Sequence, residues 1–244
     1  MQGLLGLLYS YLTCQKMRLE VQKIPNYRGR SLRQIISENI HFDSVGYTYR
    51  GLSWLDFAKR ENNVCALQYA AHDARQAIEQ LLFEEIVLSV GTAFDRIEYA
   101  KCKGSSTKLH KVMRRLNPDH EKLSEFIQVI MSVLPNAPTL VRWDHKYLMK
   151  HWRKISNYLH WAGEPAETTE SSNWLSKGIV IVGAGLLHIW DKKGLGYTGA
   201  MAPKDMQPEI RECWKNFKAE KIDINCVEHV AHMTLTVLNN RNKA

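Results

Sequence analysis

The sequence is poor in the residues that build tight turns and covalent cross-links. Its 244 residues include only 14 glycines and 7 prolines, which disfavours an all-β protein rich in turns. Its five cysteines are spread along the chain without a CxxC pair. This spacing argues against a disulfide framework or a structural zinc site, and it favours a reducing compartment. We therefore expect a helical, cytoplasmic protein that uses no metal ion or other cofactor.

Long apolar runs are also missing. No stretch reaches the about 20 apolar residues that a membrane helix needs, so we expect no membrane partner. Residues 1–13 are apolar, but no lysine or arginine precedes them and no small-x-small cleavage motif follows, in contrast to a signal peptide. We interpret this segment as a docking extension or as an over-long start, with Met17 as the alternative to Met1.

Positive charge is present in excess. Lys and Arg number 33 against 25 Asp and Glu, which gives a net charge of +8. Such an excess favours a polyanionic partner, most often a nucleic acid, although a basic surface without a partner is the alternative reading. The charge is concentrated in residues 101–117, which hold six basic residues and no acidic one.

Apolar residues recur with helical spacing over most of the chain. Residues 62–90 predict one long amphipathic helix, because Leu67, Ala71 and Ala74 begin a stripe that continues to Leu81. Six more helices are expected, at 108–116, 119–134, 139–161, 173–191, 208–220 and 226–239. Asn225 and Glu228 stand at the positions of a capping box for the last of them.

The amino-terminal part has a mixed pattern. We expect one or two helical turns after Ser31, and a loop or short extended pieces from Asp43 to Gly51. The predicted fold class is all-α, an up-and-down helical bundle over residues 55–192. Less regular extensions are expected on either side, at 1–54 and at 193–244.

The helix predicted over 139–161 carries the clearest functional pattern. Its apolar face is formed by Leu148, Trp152, Ile155 and Leu159. At about 100° per residue, six polar residues fall within an arc of about 80° on the other side. These six are Arg142, Lys146, Lys150, Arg153, Asn157 and His160.

This stripe and the basic segment at 101–117 together suggest a groove for a phosphate backbone. The alternative is that both are solvated helix faces. The residues expected to contact RNA are Lys108, Lys111, Arg114, Arg115, Arg142, Lys146 and Lys150.

The segment RKISNYLH, from Arg153 to His160, resembles the Arg-x(4–6)-His signature of the HEPN-domain superfamily. The earlier segment AAHDARQAIEQLLFEEIVL is similar to the long first helix of that superfamily, and the helix order over about residues 55–192 is similar too. Two positions depart from the pattern. Lys154 stands where many active members have a small polar residue, and Ala162 stands where antitoxin-regulated members have a tyrosine.

The resemblance implies a metal-independent endoribonuclease that acts as a homodimer, often as a toxin or antiviral defence effector with an antitoxin or another regulatory partner. Arg153 and His160 would be the catalytic pair, with Asn157 as a positioning residue. In such a reaction the RNA 2′-OH attacks the adjacent phosphorus, a histidine moves the proton and an arginine stabilises the phosphoryl oxygens. A two-fold dimer would bring two pairs to one cleft. The alternative is a non-catalytic HEPN-like module that binds RNA, a nucleotide or a protein.

Further patterns allow other hypotheses. His229 and His232 form an HxxH pair that fits either a metal site or two surface histidines. Asp73 or Glu79 would orient the catalytic pair, unless both are ordinary surface acids of the long helix. His145 and His151 flank the polar stripe, where they would assist RNA binding unless they are simply exposed to solvent. Trp143 and Trp161 lie beside it, and they would stack on bases unless they pack in the core or in a dimer contact.

Overall fold

The computed structural model describes residues 25–90, 95–102, 105–133, 140–159, 173–196, 203 and 206–241. Within these residues the chain forms ten helices and no strand, which confirms the all-α prediction. The helices are α1 (Leu32–Ser37), α2 (Ser44–Arg60), α3 (Val64–Val90), α4 (Arg96–Cys102), α5 (Ser106–Leu116), α6 (His120–Val133), α7 (His145–Ser156), α8 (Asn173–Leu195), α9 (Pro208–Lys218) and α10 (Ile224–Arg241). None of these described helices is long and apolar enough to cross a bilayer.

The chain divides into two compact units. The larger unit consists of residues 26–118 and 140–199, and it contains α1 to α5, α7 and α8. The smaller unit contains the helices α6, α9 and α10. The predicted boundary at residue 54 falls inside α2, so the larger unit extends further toward the amino terminus than the sequence suggested.

The long helix α3 is the centre of the larger unit. It packs against α2, α5, α7 and α8. Leu67, Ile78 and Leu82 are fully buried at different levels of the helix, as expected for a helix that is covered from several sides. The helix predicted over 62–90 is therefore confirmed, and it provides the support on which α5 and α7 rest.

Helix α2 corrects the prediction of a loop from Asp43 to Gly51. The Asp43 side chain accepts a hydrogen bond from the Gly46 amide and starts the helix. The helix is hard to recognise because it packs against both α3 and α8, so its apolar residues do not form a single stripe. Gly51 has no room for a side chain, since a Cβ atom there would lie 2.9 Å from Leu186 Cδ2.

Helix α7 begins later and ends earlier than the predicted 139–161. Asp144 accepts a hydrogen bond from the Tyr147 amide and caps its start, so Arg142 precedes the helix. After Ser156 the amides of Asn157, Tyr158 and Leu159 bond to carbonyls three residues back, which is a tighter turn than an α-helix. His160, Trp161 and Ala162 lie outside the described residues.

The boundaries of two later helices also differ from expectation. Helix α8 continues about one turn beyond the predicted end at Asp191, to Leu195. Helix α10 starts at Ile224, because the Asp223 carboxylate accepts a hydrogen bond from the Cys226 amide. Asn225 therefore lies inside the helix, and the capping box predicted for Asn225 and Glu228 is wrong.

The smaller unit has an aromatic core of its own. The Phe126 ring of α6 lies 5.3 Å from Trp214 and 5.8 Å from Phe217 of α9, measured between ring centroids. An ion pair of 2.6 Å between Lys218 and Asp119 joins the end of α9 to the start of α6. The helices predicted at 119–134 and 208–220 are thus confirmed.

Candidate nucleic-acid interface

Helices α5 and α7 are both amphipathic and lie side by side in the larger unit. Leu109 and Met113 of α5 are buried in the core, as are Leu148 and Ile155 of α7. Burying these apolar side chains is favourable, and it fixes which side of each helix remains available to solvent. The opposite sides of the two helices are left to line a shared surface.

That surface is a groove of about 560 Å³, which we call the cationic groove. Helix α5 contributes Thr107, His110, Lys111 and Arg114, at positions i, i+3, i+4 and i+7. Helix α7 contributes Lys146, Met149, Lys150, Arg153 and Lys154, with the same spacing and one further residue. Each helix therefore presents one continuous stripe to the groove.

The cationic groove carries six permanent positive charges, and none of its nine lining residues is acidic. Among the described residues, none of the six basic side chains forms a salt bridge or a side-chain hydrogen bond. Basic residues elsewhere are often paired, as Arg60 is with Asp56 and Lys215 with Glu212. Like charges that converge without counter-charges repel each other, and such a cleft focuses a positive potential that attracts anions.

The structure brings together four of the seven residues predicted to contact RNA. Lys111, Arg114, Lys146 and Lys150 line the cationic groove. Lys108, Arg115 and Arg142 are exposed but do not line it.

The two α5 residues miss the groove because of their helical angle. At about 100° per residue, Lys108 and Arg115 lie about 100° from the centre of the stripe that faces α7. Arg115 is instead bound to Glu98 of α4. Arg142 precedes α7, and its carbonyl accepts a hydrogen bond of 2.7 Å from Lys192 Nζ.

The structure describes two of the three proposed catalytic residues, Arg153 and Asn157. Arg153 is exposed and lines the cationic groove, whereas Asn157 is exposed in the turn after α7 and does not line it. Arg153 and His160 would share one face only on a continuous α-helix between them. Since α7 ends at Ser156, that helical geometry does not extend to position 160, and His160 itself is outside the described residues.

Asp73 and Glu79, the two carboxylates of α3 considered as orienting groups, serve other partners than Arg153. Asp73 binds Arg50 through both oxygens, at 2.6 and 2.7 Å, and this pairing raises the pKa of the Arg50 guanidinium. Glu79 accepts a hydrogen bond of 2.9 Å from the indole nitrogen of Trp152. Both interactions are structural, and the second ties α7 to α3.

The aromatic residues beside the stripe are mostly packed inside the protein. Trp143 and His145 are buried, at 7% and 4% exposure, which leaves them little surface for stacking on bases. The Tyr147 ring lies between His151 and His188, at 4.3 Å from each. Burial, followed by the nearby Lys154 and Lys150 charges, lowers the pKa of His151.

Sequence reasoning missed four residues of the groove, Thr107, His110, Met149 and Lys154. Lys154 falls outside the 80° arc used to define the stripe, at about 120° from Arg142 on a helical wheel. His110 could have been found from the spacing of Thr107, His110, Lys111 and Arg114, which marks one face of α5. The spacing was overlooked because the prediction for residues 101–117 relied on their total charge.

His229 and His232 are both exposed on α10. The described residues contain no group of three or more side chains arranged to hold a metal ion. Comparisons of the chain with protein-family models, with curated proteins and with solved structures give no match in any of the three.

Proposed function

We propose that this protein binds RNA through the cationic groove. The observation that carries the proposal is the convergence of six basic side chains from two helices without one acidic neighbour. The phosphodiester backbone of RNA supplies a regular row of negative charges that would offset their mutual repulsion. Met149 is buried at 7% exposure beneath these charges and gives the groove an apolar floor.

The size of the groove favours a single strand. A volume of about 560 Å³ between two helices suits a few nucleotides. A duplex carries its phosphates on a convex outer surface, whereas a single strand can follow a narrow positive channel and expose its bases. The expected ligand is therefore a short stretch of single-stranded RNA.

A charge-reversal pair tests the proposal. Lys146→Glu with Lys150→Glu should weaken the binding of a labelled single-stranded RNA by at least about 10-fold, as measured by fluorescence anisotropy. Lys59→Glu with Lys177→Glu is the matched control, because both lysines are exposed outside the groove and the net charge changes equally. Equal losses of affinity in the two double variants would contradict a specific role of the groove.

Cleavage of the bound RNA is the second candidate function, and the position of Arg153 in the groove favours it. In the reading based on HEPN proteins, Arg153 stabilises the phosphoryl oxygens and His160 moves the proton. Arg153→Ala and His160→Ala should then each slow cleavage by about 10²–10³-fold. The activity should survive EDTA and leave a 2′,3′-cyclic phosphate.

Binding without cleavage would support the alternative of a non-catalytic module.

The homodimer is also still a prediction. Light scattering at micromolar concentration should give about twice the 28.2 kDa of one chain, and a monomer alone would contradict it. The toxin or defence role, an antitoxin partner and the cytoplasmic location likewise stay predictions.

A further inference from the structure

The cationic groove contains one histidine, His110. His110 lies on α5 between Thr107 and Arg114, one turn from each, and it lines the groove. It is half-buried. The basic residues around it are permanently charged at neutral pH, whereas imidazole is the side chain that most readily takes up and releases a proton there.

The His110 ring is held by a second histidine. Its centroid lies 5.7 Å from that of His145, with an angle of 54° between the two planes. His145 is the first residue of α7 and is only 4% exposed. His110 therefore lines the groove with a buried imidazole beside it.

The groups that face His110 come from both helices. Lys111 and Arg114 belong to its own helix, and Lys146, Lys150 and Arg153 line the groove from α7. No carboxylate lines the groove to compete with a bound phosphate for these cations. A phosphodiester held here would bring its ribose into a space that also contains an imidazole.

We propose that His110 is a catalytic residue of this groove, acting as the general base that cleaves bound RNA. The inference rests on the proposed binding of RNA in the cationic groove. It adds a proton acceptor that belongs to the same lining as Arg153. If His160 also takes part, one chain would supply two histidines, and the second imidazole would not have to come from a dimer partner.

The reaction needs no co-reactant. The His110 imidazole accepts the proton of the ribose 2′-OH, and the 2′ oxygen forms a bond to the adjacent phosphorus. The bond from phosphorus to the 5′ oxygen breaks, and that oxygen takes a proton from water or from a lysine ammonium group. The products are a 2′,3′-cyclic phosphate and a 5′-hydroxyl, while Arg153 and Arg114 stabilise the charge on the phosphoryl oxygens.

The experiment measures affinity and cleavage on the same variants of the full chain. His110→Gln should keep the affinity for single-stranded RNA within about threefold and slow cleavage by about 10²–10³-fold. His72→Gln is the matched control, because His72 is exposed on α3 outside the groove, and it should cleave like the wild type. An RNA with a 2′-deoxy sugar at the cleavage site should bind and remain intact.

Chemical rescue separates a catalytic role from a structural one. Added imidazole should restore part of the activity of His110→Ala and should have no effect on Arg153→Ala. Cleavage at the wild-type rate by His110→Gln would overturn the inference, as would a wild-type protein that binds RNA and never cleaves it. In both cases the binding function would stand, because it is tested separately by Lys146→Glu with Lys150→Glu.

Discussion

Gly178 shows how one absent side chain sets the distance between elements. It lies in α8, where a Cβ atom would come within 2.5 Å of Leu67 Cδ2 and 2.9 Å of Tyr158 Cδ1. Both neighbours are buried, so neither can move into solvent. The glycine therefore allows α8 to approach α3 and the turn that follows α7.

Gly178→Ala should lower the free energy of unfolding by about 1–3 kcal/mol, because the added methyl group overfills a packed site. Urea denaturation followed by circular dichroism measures the change. Gly194→Ala is the control in the same helix, since no atom lies within 4 Å of a Cβ atom there. That variant should be neutral or gain up to about 1 kcal/mol from helix propensity. Equal losses in both variants would contradict the packing argument.

At the scale of elements, a clear helical period of the apolar residues identified α3, α6 and α9. In α3 this period is visible although the helix is covered from several sides. Helix α2 was not found, because its local pattern is mixed and tertiary contacts with α3 and α8 override it. The start of α7 was placed too early. The apolar pattern continues upstream of Asp144, and the sequence alone does not show that the helix begins at this cap.

The sequence also predicted only about half of the residues that line the candidate site. The stripe on α7 follows from helical angles alone, so Lys146, Lys150 and Arg153 were identified. On α5 the spacing marks a face, but which face meets α7 depends on how the two helices are oriented against each other, and periodicity does not encode that orientation. Selecting α5 residues by their charge therefore included Arg115, which is bound to Glu98, among the predicted RNA contacts and left out His110.

The contact between α7 and α8 should respond to pH. Tyr147 contacts the rings of both His151 and His188, and burial is the main cause that lowers the pKa of both histidines. The cations Lys150, Lys154 and Lys192 lower these pKa values further, and Asp144 and Asp191 oppose the shift at His188. The folded protein thus binds fewer protons at this contact than the unfolded chain does.

Stability should therefore be highest above about pH 6.5, the ordinary histidine pKa, and should fall as the pH drops below it toward the folded-state pKa values. Urea midpoints measured between pH 7.5 and 5 test this prediction. His151→Gln with His188→Gln should flatten the decline. His229→Gln should leave it unchanged, because His229 is exposed on α10. An identical decline in the double variant would show that other groups cause it.

At the scale of the whole molecule, the position of the charges matters more than their sum. The net charge of +8 alone would attract any polyanion weakly and without a fixed location. All nine residues of the cationic groove belong to the larger unit, and six of them are basic. Two adjacent arginines of α5 differ in their surroundings. Arg114 lines the groove, whereas Arg115 pairs with Glu98.

These two arginines allow a test in which the net charge changes equally. The slope of log K against log salt for single-stranded RNA is negative, and its magnitude should fall by about 0.7 in Arg114→Ala, because one phosphate contact is lost. Arg115→Ala should leave the slope unchanged, since its guanidinium is held by Glu98 outside the groove. Anisotropy titrations between 50 and 200 mM salt measure both slopes. About six contacts would give the wild type a slope near −4. Equal decreases in the two variants would mean that RNA responds to the overall charge of the molecule rather than to the groove.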